Sequence, residues 1–209
     1  ATCKETPDQI MDVAVKHDLW VISDEIYEKL VYGVEHVCMP TLRGGYERTI
    51  LLNGWSKAYA MTGWRLGWAI FPRSLIRTAQ KIQQNLMICA PSVAQWGGIA
   101  ALTEAHDDVE RMRQIFASRR EVMLGEMKKH GFDVEVEPTG AFYVLVNMKR
   151  WTDDSYRFAM DILDATGVGV TPGIDFGSGG EGFLRFSYAN SLENLAEALK
   201  RLEAYLRER

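Results

Sequence analysis

Short apolar runs restrict the folds open to this chain more than any other pattern in it. They lie within residues 19–22, 48–53 and 65–71. Runs of this kind are typical of strands that are covered on both faces of a sheet. A helix is predicted before the first run, with Thr6 as its N-cap and Pro7 at its first helical position. Helices followed by buried strands, with polar residues at the strand ends, predict an α/β layer.

Helices are predicted for the middle of the chain. Helical periodicity covers residues 74–86, and a second helix opens at Pro91. A long third helix begins at Asp107 and ends before Gly131, which suits the C-terminal cap. We expect this third helix to lead into a second domain. The predicted domains are therefore residues 1–105 and 106–209.

The second domain is predicted to be α+β. Strand-like runs cover residues 132–137, 141–147, 168–171 and 183–188, and a helix covers residues 154–165. A last helix is predicted to start after a cap at Asn190 or Ser191 and to pack through a seam of leucines, namely Leu192, Leu195, Leu199, Leu202 and Leu206.

Composition and charge exclude several classes of partner. The net charge of −4 offers no basic surface to nucleic acid or to an anionic membrane. Residues 83–103 carry no charge, but they are too polar to span a bilayer and are interpreted as a buried turn between helices. The three cysteines, Cys3, Cys38 and Cys89, match neither a disulfide framework nor a metal-binding pair. We expect small buried thiols in a reducing compartment, and hence a cytoplasmic protein.

The strongest candidate for chemistry is the segment at residues 55–67. Ser56 and Lys57 directly follow the second apolar run, and ligands bind at the carboxyl ends of strands in open α/β sheets. A lysine among apolar and aromatic neighbours is partly desolvated, which frees its amine to attack an aldehyde. Ser56 and Arg65 offer a hydroxyl and a guanidinium to one phosphate. An isolated lysine is usually a solvated surface charge, but a nucleophile beside two anion ligands favours a cofactor site.

A second candidate lies at residues 23–27, at the end of the first apolar run. A carboxylate such as Asp24 can pair with a pyridinium N–H, and Tyr27 can donate to a phenolate oxygen of the same ring. Alone, Ser23 or Asp24 would be interpreted as a helix N-cap. When Lys57 is considered as well, a role of Asp24 and Tyr27 in binding a cofactor is favoured.

A third candidate is Arg185, in the middle of an aromatic strand. Strand alternation places it on one face with Phe183 and Ser187. An arginine there is costly to bury unless it meets an anion, and a substrate carboxylate would satisfy it. A structural ion pair with one of the acidic residues remains the alternative. The preceding glycine-rich residues 171–182 lack a phosphate-loop lysine, and are interpreted as a flexible loop over a site.

Several motifs, taken together, resemble one known family. They are SDEIY at residues 23–27, SKAYAMTGWRLGW at 56–68, GAFY at 140–143, PG-x-x-FG at 172–177 and LRFSYA at 184–189. The chain resembles the fold-type I, pyridoxal 5'-phosphate (PLP)-dependent aminotransferases of class I/II, the relatives of aspartate aminotransferase. The resemblance implies an α/β chain, made of the C-terminal part of the PLP-transferase large domain, with a mixed sheet and helices, and of an α+β small domain.

The resemblance also implies a role for each site residue. Lys57 would be the catalytic residue, bound to PLP as a Schiff base. Asp24 would pair with the pyridine nitrogen and Tyr27 with the phenolic oxygen. Ser56 and Arg65 would bind the phosphate. No metal is implied.

The implied reaction is ping-pong transamination between an L-amino acid and a 2-oxo acid, as in amino acid metabolism. Arg185 would bind the α-carboxylate of the substrate. A homodimer is implied, because the family builds its site across a subunit interface.

Family members are usually much longer, with a segment that would precede residue 1. That segment supplies part of the sheet and of the cofactor pocket. The resemblance therefore implies a C-terminal fragment that, alone, binds PLP weakly and has little or no activity.

Other functions stay open at this point. The same scaffold supports β-lyases, decarboxylases and cyclopropane-carboxylate synthesis. A non-catalytic PLP-binding sensor module of a transcription regulator, or an inert structural remnant, are the alternatives outside catalysis.

Overall fold

The computed structural model describes residues 5–208, which divide into two compact units with the boundary between Arg113 and Gln114. The first unit contains a mixed sheet of three strands in the order β1-β2-β3: Val21–Asp24, Thr49–Gly54 and Gly67–Ile70. β1 and β2 run parallel, whereas β3 is antiparallel to β2. Because parallel strands end at the same edge of a sheet, the chain segments that follow β1 and β2 lie side by side.

In the described part of the chain, β1 is covered on one face and exposed on the other. The α1 helix, Glu5–Lys16, contributes Met11 and Ala14 to a small core with Met39, against which Val21 packs. The opposite side of β1 carries Ile22, which is 68% exposed. The prediction that the apolar runs are buried on both faces is therefore wrong, because the described part of this unit covers β1 from one side.

The remaining helices of this part of the chain are α2 (Arg73–Leu86), α3 (Ser92–Glu104) and α4 (His106–Lys129). The start of α3 directly after Pro91 is confirmed. Thr6 is not an N-cap, because α1 already includes Glu5, and Pro7 is tolerated within a first turn.

The turn between α2 and α3 is exposed, not buried as predicted. Leu86 is 74% exposed and Ile88 is 77% exposed. The turn is closed by its own hydrogen bonds: the amides of Met87 and Ile88 donate to the Gln83 carbonyl, and Gln83 Nε2 donates to the Ile88 carbonyl. Since its polar groups are satisfied locally, the turn needs no cover from the rest of the protein.

The second unit is α+β, as predicted. Its antiparallel sheet has the order β4-β6-β5, formed by Tyr143–Asn147, Phe183–Ser187 and Thr171–Pro172. Two helices accompany the sheet, α5 (Ser155–Thr166) and α6 (Leu192–Arg207). The core consists of large apolar side chains from strands and helices, among them Val144, Val146, Phe158, Ile162, Leu184, Leu199 and Leu202.

The predicted ends of α5 and the predicted start of α6 are confirmed. The Asp154 side chain accepts from the Arg157 amide, and Gly167 ends α5 in a left-handed conformation. The Ser191 hydroxyl accepts from the Asn194 amide. The leucine seam is shorter than predicted, because Leu192 is 40% exposed at the first turn of α6.

Residues 132–137 do not form the predicted strand. They make a single bridge, between Asp133 and Asn147. The following segment is held by the side chain of Arg120, which donates to the Pro138 carbonyl at 2.5 Å and pairs with Glu137 at 3.3 Å. These side-chain contacts hold the segment in place of the backbone hydrogen bonds that a strand would make with its neighbour.

Two further expectations concern cysteines and membranes. Cys38 is half-buried and Cys89 is exposed, so neither is the fully buried thiol that we predicted, and Cys3 lies outside the described residues. Within residues 5–208, each helix is too short or too polar to cross a bilayer.

Candidate active site

A cavity of about 440 Å³ lies at the carboxyl ends of β1 and β2. The parallel pairing places Asp24, the last residue of β1, opposite Leu52 of β2. Four of the predicted site residues line the cavity, namely Asp24, Ser56, Lys57 and Arg65. A carboxylate, a hydroxyl, an amine and a guanidinium thus surround one space.

The turn that follows β2 carries Ser56 and Lys57, both half-buried. The Ala60 amide donates to the Lys57 carbonyl at 3.2 Å, and the Met61 amide donates to the Trp55 carbonyl at 3.2 Å. Ala60 has a φ of 53°, which is the left-handed region that non-glycine residues rarely adopt. The turn is therefore a tightly hydrogen-bonded and locally strained structure that presents Lys57 to the cavity.

Arg65 is held by the chain just before β3. The prediction that it lies in a strand is wrong, because β3 begins at Gly67 and Arg65 has a left-handed backbone, with φ 53° and ψ 43°. Its Nη1 donates to the Thr62 carbonyl at 3.0 Å, and the Thr62 hydroxyl donates to the Ser56 carbonyl at 3.0 Å. Thr62 therefore links the arginine to the turn that carries Ser56.

Part of the cavity wall is bare backbone. Gly54 of β2 pairs with Gly67 of β3, and both line the cavity. A Cβ on Gly54 would lie 2.9 Å from the Gly67 Cα and 2.9 Å from the Leu66 carbonyl oxygen. Glycine is thus required at Gly54 for the two strands to approach this closely.

Tyr27 lies beside the lysine. The Lys57 Nζ is 5.9 Å from the centre of the Tyr27 ring, within the range of a cation–π contact. Asp24 is exposed at the cavity, and its Oδ1 accepts from the Ile26 amide at 3.3 Å. This hydrogen bond shapes the turn that leads from β1 to Tyr27.

Glu25 anchors the same turn from the other side. It is 5% exposed, and its carboxylate accepts from the Ser23 hydroxyl at 2.9 Å and from the Met39 amide at 3.0 Å, while His36 Nε2 lies 2.7 Å away. Burial raises the pKa of Glu25, but the hydrogen bonds from His36, Met39, Ser23 and Cys38 outweigh it, so the pKa lies below its usual value.

The groups around the cavity fit PLP. Ser56 and Arg65 can hold a phosphate, Lys57 can hold an aldehyde carbon, and Asp24 can hold a protonated ring nitrogen. The roles of the individual residues stay predictions.

Arg185 lies in the second unit, on β6, at the centre of a different cluster. Its guanidinium carbon is 4.1 Å from the centre of the Tyr143 ring and 4.5 Å from that of Phe176. Its Nε is buried and has no hydrogen-bond partner among the described residues. No carboxylate of residues 5–208 pairs with it, so the alternative of a structural ion pair within the described chain does not hold.

The glycine-rich residues 171–182 that we interpreted as a flexible loop contain two short 3₁₀ turns, Gly173–Phe176 and Ser178–Gly180. The Ile174 amide donates to the buried Ser155 hydroxyl at 3.2 Å. This loop carries Phe176 to the Arg185 cluster.

Three contributors were missed from the sequence. Asn53 and Thr62 line the cavity, and Glu25 holds the turn behind it. A signal existed for Asn53, since a polar residue ending an apolar strand marks the ligand-binding edge. No sequence pattern pairs Glu25 with His36 or Met39, which are separated from it by 11 and 14 positions.

Comparison with known proteins gives consistent matches. The family model of the aminotransferases of class I and II matches residues 3–202. An aspartate aminotransferase of Pyrococcus abyssi is 40% identical over 209 residues, which are 99% of this chain and 54% of that protein. A (5-formylfuran-3-yl)methyl phosphate transaminase of Methanocaldococcus jannaschii is 40% identical over 199 residues, which are 95% of this chain and 53% of that protein.

Solved structures agree with these relatives. An aromatic aminotransferase from Pyrococcus horikoshii has a TM-score of 0.95 at 38% identity, covering 100% of this chain and 57% of that one. The likeness confirms the predicted fold, an α/β large-domain part with an α+β small domain. The chain spans about half the length of the curated relatives it matches.

Proposed function

The chain belongs to the aminotransferase class I and II family, and from this premise we propose that it forms the lysine-bearing part of a PLP-dependent aminotransferase. The reaction moves an amino group between an L-amino acid and a 2-oxo acid. One observation supports the proposal above all others: an amine, a hydroxyl, a guanidinium and a carboxylate line a single cavity, on Lys57, Ser56, Arg65 and Asp24. These are the groups that an aldehyde, a phosphate and a ring nitrogen require.

The cofactor, when bound, supplies an aldehyde that condenses with amines and a ring that withdraws electrons from the substrate Cα. Lys57 would hold the cofactor through Nζ, and its free amine would move the proton at the substrate Cα as a general base and acid. Asp24 keeps the ring nitrogen protonated, and Tyr27 donates to the phenolic oxygen. Ser56 and Arg65 bind the phosphate, and the Thr62 carbonyl orients Arg65.

Arg185 binds the α-carboxylate that amino acids and 2-oxo acids share. Arg185 is half-buried and pairs with no carboxylate of residues 5–208, which supports this role, because a guanidinium removed from water is stabilised by an anion. Relatives are named for aspartate and for (5-formylfuran-3-yl)methyl phosphate, and a structural neighbour is an aromatic aminotransferase. The proposal therefore covers recognition of the shared α-carboxylate and names no preferred substrate side chain.

We also propose a homodimer in the cytoplasm, with domains at residues 1–105 and 106–209 and without nucleic-acid or membrane partners. The share of the relatives' length that the chain covers supports a catalytic unit larger than residues 1–209. On this basis, the 209-residue chain alone should bind PLP weakly and turn over little.

Lysine mapping tests the proposal directly. The protein is mixed with excess PLP, reduced with borohydride to make any lysine–cofactor bond permanent, and digested for peptide mass spectrometry. We expect the label on Lys57 and its loss in Lys57→Ala, whereas Lys81→Ala, which removes an exposed lysine of α2, should leave it unchanged. Labelling at another lysine, or undiminished labelling of Lys57→Ala, would refute the assignment. Amino-acid and 2-oxo-acid half-reactions then separate transamination from lyase or decarboxylase chemistry.

A further inference from the structure

Two aromatic rings flank the Arg185 guanidinium, and they come from opposite sides of its strand. β6 lies between β4 and β5 in the sheet. Tyr143 is the first residue of β4, and Phe176 ends the 3₁₀ turn that follows β5. The guanidinium carbon lies 4.1 Å and 4.5 Å from the two ring centres, which is stacking distance.

This stacking decides which directions of the guanidinium remain open. Rings interact with its planar faces, whereas its N–H groups point outward along the edges. Among the edge nitrogens, Nε is enclosed by the protein and has no hydrogen-bond partner among the described residues, and Nη2 lies 3.5 Å from the Thr171 hydroxyl. The terminal Nη groups make one long hydrogen bond among the described residues and are therefore the donors that remain for a planar, bidentate anion.

The ring that comes from the loop is itself held in place. Ser155 is fully buried, and its amide donates to Glu181 Oε1 at 2.7 Å. The Ser155 hydroxyl accepts from the Ile174 amide at 3.2 Å, two residues before Phe176. Phe176 is therefore carried by a turn that is tied to the N-terminus of α5, although the ring itself is 55% exposed.

We propose that Tyr143 and Phe176 form an aromatic clamp that positions the Arg185 guanidinium for the α-carboxylate of the substrate, and so set the selectivity for carboxylates. The inference rests on the proposed function, which assigns the carboxylate to Arg185. Both are positioning residues, because they act through the arginine. Without the rings the guanidinium samples more rotamers, and part of its interaction with a planar anion is lost.

Selectivity measurements test the clamp. The ratio of kcat/KM for an L-amino acid to kcat/KM for the amine with the same side chain but no carboxylate is compared between proteins. In Tyr143→Leu and Phe176→Leu we expect this ratio to fall about 10-fold, chiefly through a higher KM for the amino acid. Tyr143→Phe and Phe176→Tyr keep a ring and should keep the ratio. Tyr156→Leu, which removes an exposed ring elsewhere in the second unit, is the matched control.

A second measurement does not require turnover. Phenylglyoxal reacts with accessible guanidinium groups, and peptide mass spectrometry follows Arg185 alone. The two leucine variants should react several-fold faster at Arg185 than the parent, the ring-keeping variants and Tyr156→Leu. An unchanged rate in the leucine variants overturns the clamp, as does an equal fall in turnover of amino acid and amine. If borohydride reduction with PLP does not label Lys57 of the parent protein, the proposed function fails, and the phenylglyoxal rates still decide the clamp.

Discussion

At the scale of single residues, Asp24 and Glu25 show how neighbours in sequence receive opposite environments. Successive side chains point to opposite sides of an extended chain. Asp24 is exposed at the cavity, whereas Glu25 is 5% exposed and accepts hydrogen bonds from residues 11 and 14 positions away. The first carboxylate is available to a ligand, and the second holds the turn that presents it.

The buried carboxylate should make stability depend on pH. Because the folded pKa of Glu25 is lowered, its stabilisation is present above the unfolded pKa near 4.5 and is lost as pH falls through the folded value. Glu25→Gln should lower the free energy of unfolding by about 1–3 kcal/mol at pH 7. The difference in the free energy of unfolding between Glu25→Gln and the parent should become smaller as the pH falls below 4.5.

Urea unfolding at pH 7 and at decreasing pH below 4.5 measures this difference. Glu104→Gln, which neutralises an exposed carboxylate at the end of α3, should leave the stability unchanged within about 0.5 kcal/mol. A gap between Glu25→Gln and the parent that stays constant with pH would contradict the assignment.

At the scale of elements, helix ends could be predicted more accurately than strand environments. Asp154, Gly167 and Ser191 marked the ends of α5 and α6, because capping depends on a few adjacent residues. The cover of a sheet depends on elements distant in sequence, and this is why Ile22 was expected to be buried. The open turn at Ile88 was missed for the same reason.

The α6 helix offers a test of burial within one element. Leu199 is 1% exposed, whereas Leu192 is 40% exposed. Leu199→Ala should lower the free energy of unfolding by roughly 2–5 kcal/mol, because a buried side chain is removed and a cavity is left. Leu192→Ala should cost less than about 1 kcal/mol. Urea titration followed by circular dichroism of the helices measures both free energies of unfolding. Equal losses of stability in the two variants would show that the leucine seam includes Leu192 in the first turn of α6.

At the scale of the whole molecule, the exposed apolar surface stands out. Side chains of α1, β1 and the segment between them line an open apolar depression of about 520 Å³, to which Ile10, Val13, Leu19, Trp20 and Ile22 contribute. We call this depression the α1–β1 face. Surfaces of this kind usually contact another protein element.

We expect the 209-residue chain to bind the dye 8-anilinonaphthalene-1-sulfonate (ANS) through the α1–β1 face. Ile22→Thr keeps a β-branched side chain in β1 but removes apolar surface, so ANS fluorescence should fall by roughly half. Val136→Thr, at a position that is 77% exposed in the second unit, is the control and should leave the fluorescence unchanged. Equal signals from the parent protein and Ile22→Thr would place the dye elsewhere.

The sequence predicted which residues line the cavity better than it predicted which residues hold them in place. Ser56, Lys57 and Arg65 lie within one short segment, and a strand end brings Asp24 to them, so pattern and topology sufficed. Glu25 and the rings around Arg185 could not be inferred, because their contacts join strands and loops whose pairing the sequence does not state.

The Gly173–Gly180 contact has a consequence for how the loop can change. A Cβ on Gly173 would strike the Gly180 carbonyl oxygen, and a Cβ on Gly180 would strike the Gly173 carbonyl oxygen. Neither position can accept a side chain unless the two backbones separate, which would displace Phe176 between them. In chimeras that exchange this loop between relatives, both glycines should therefore be transferred together with Phe176, because exchanging one glycine alone would move the ring away from Arg185.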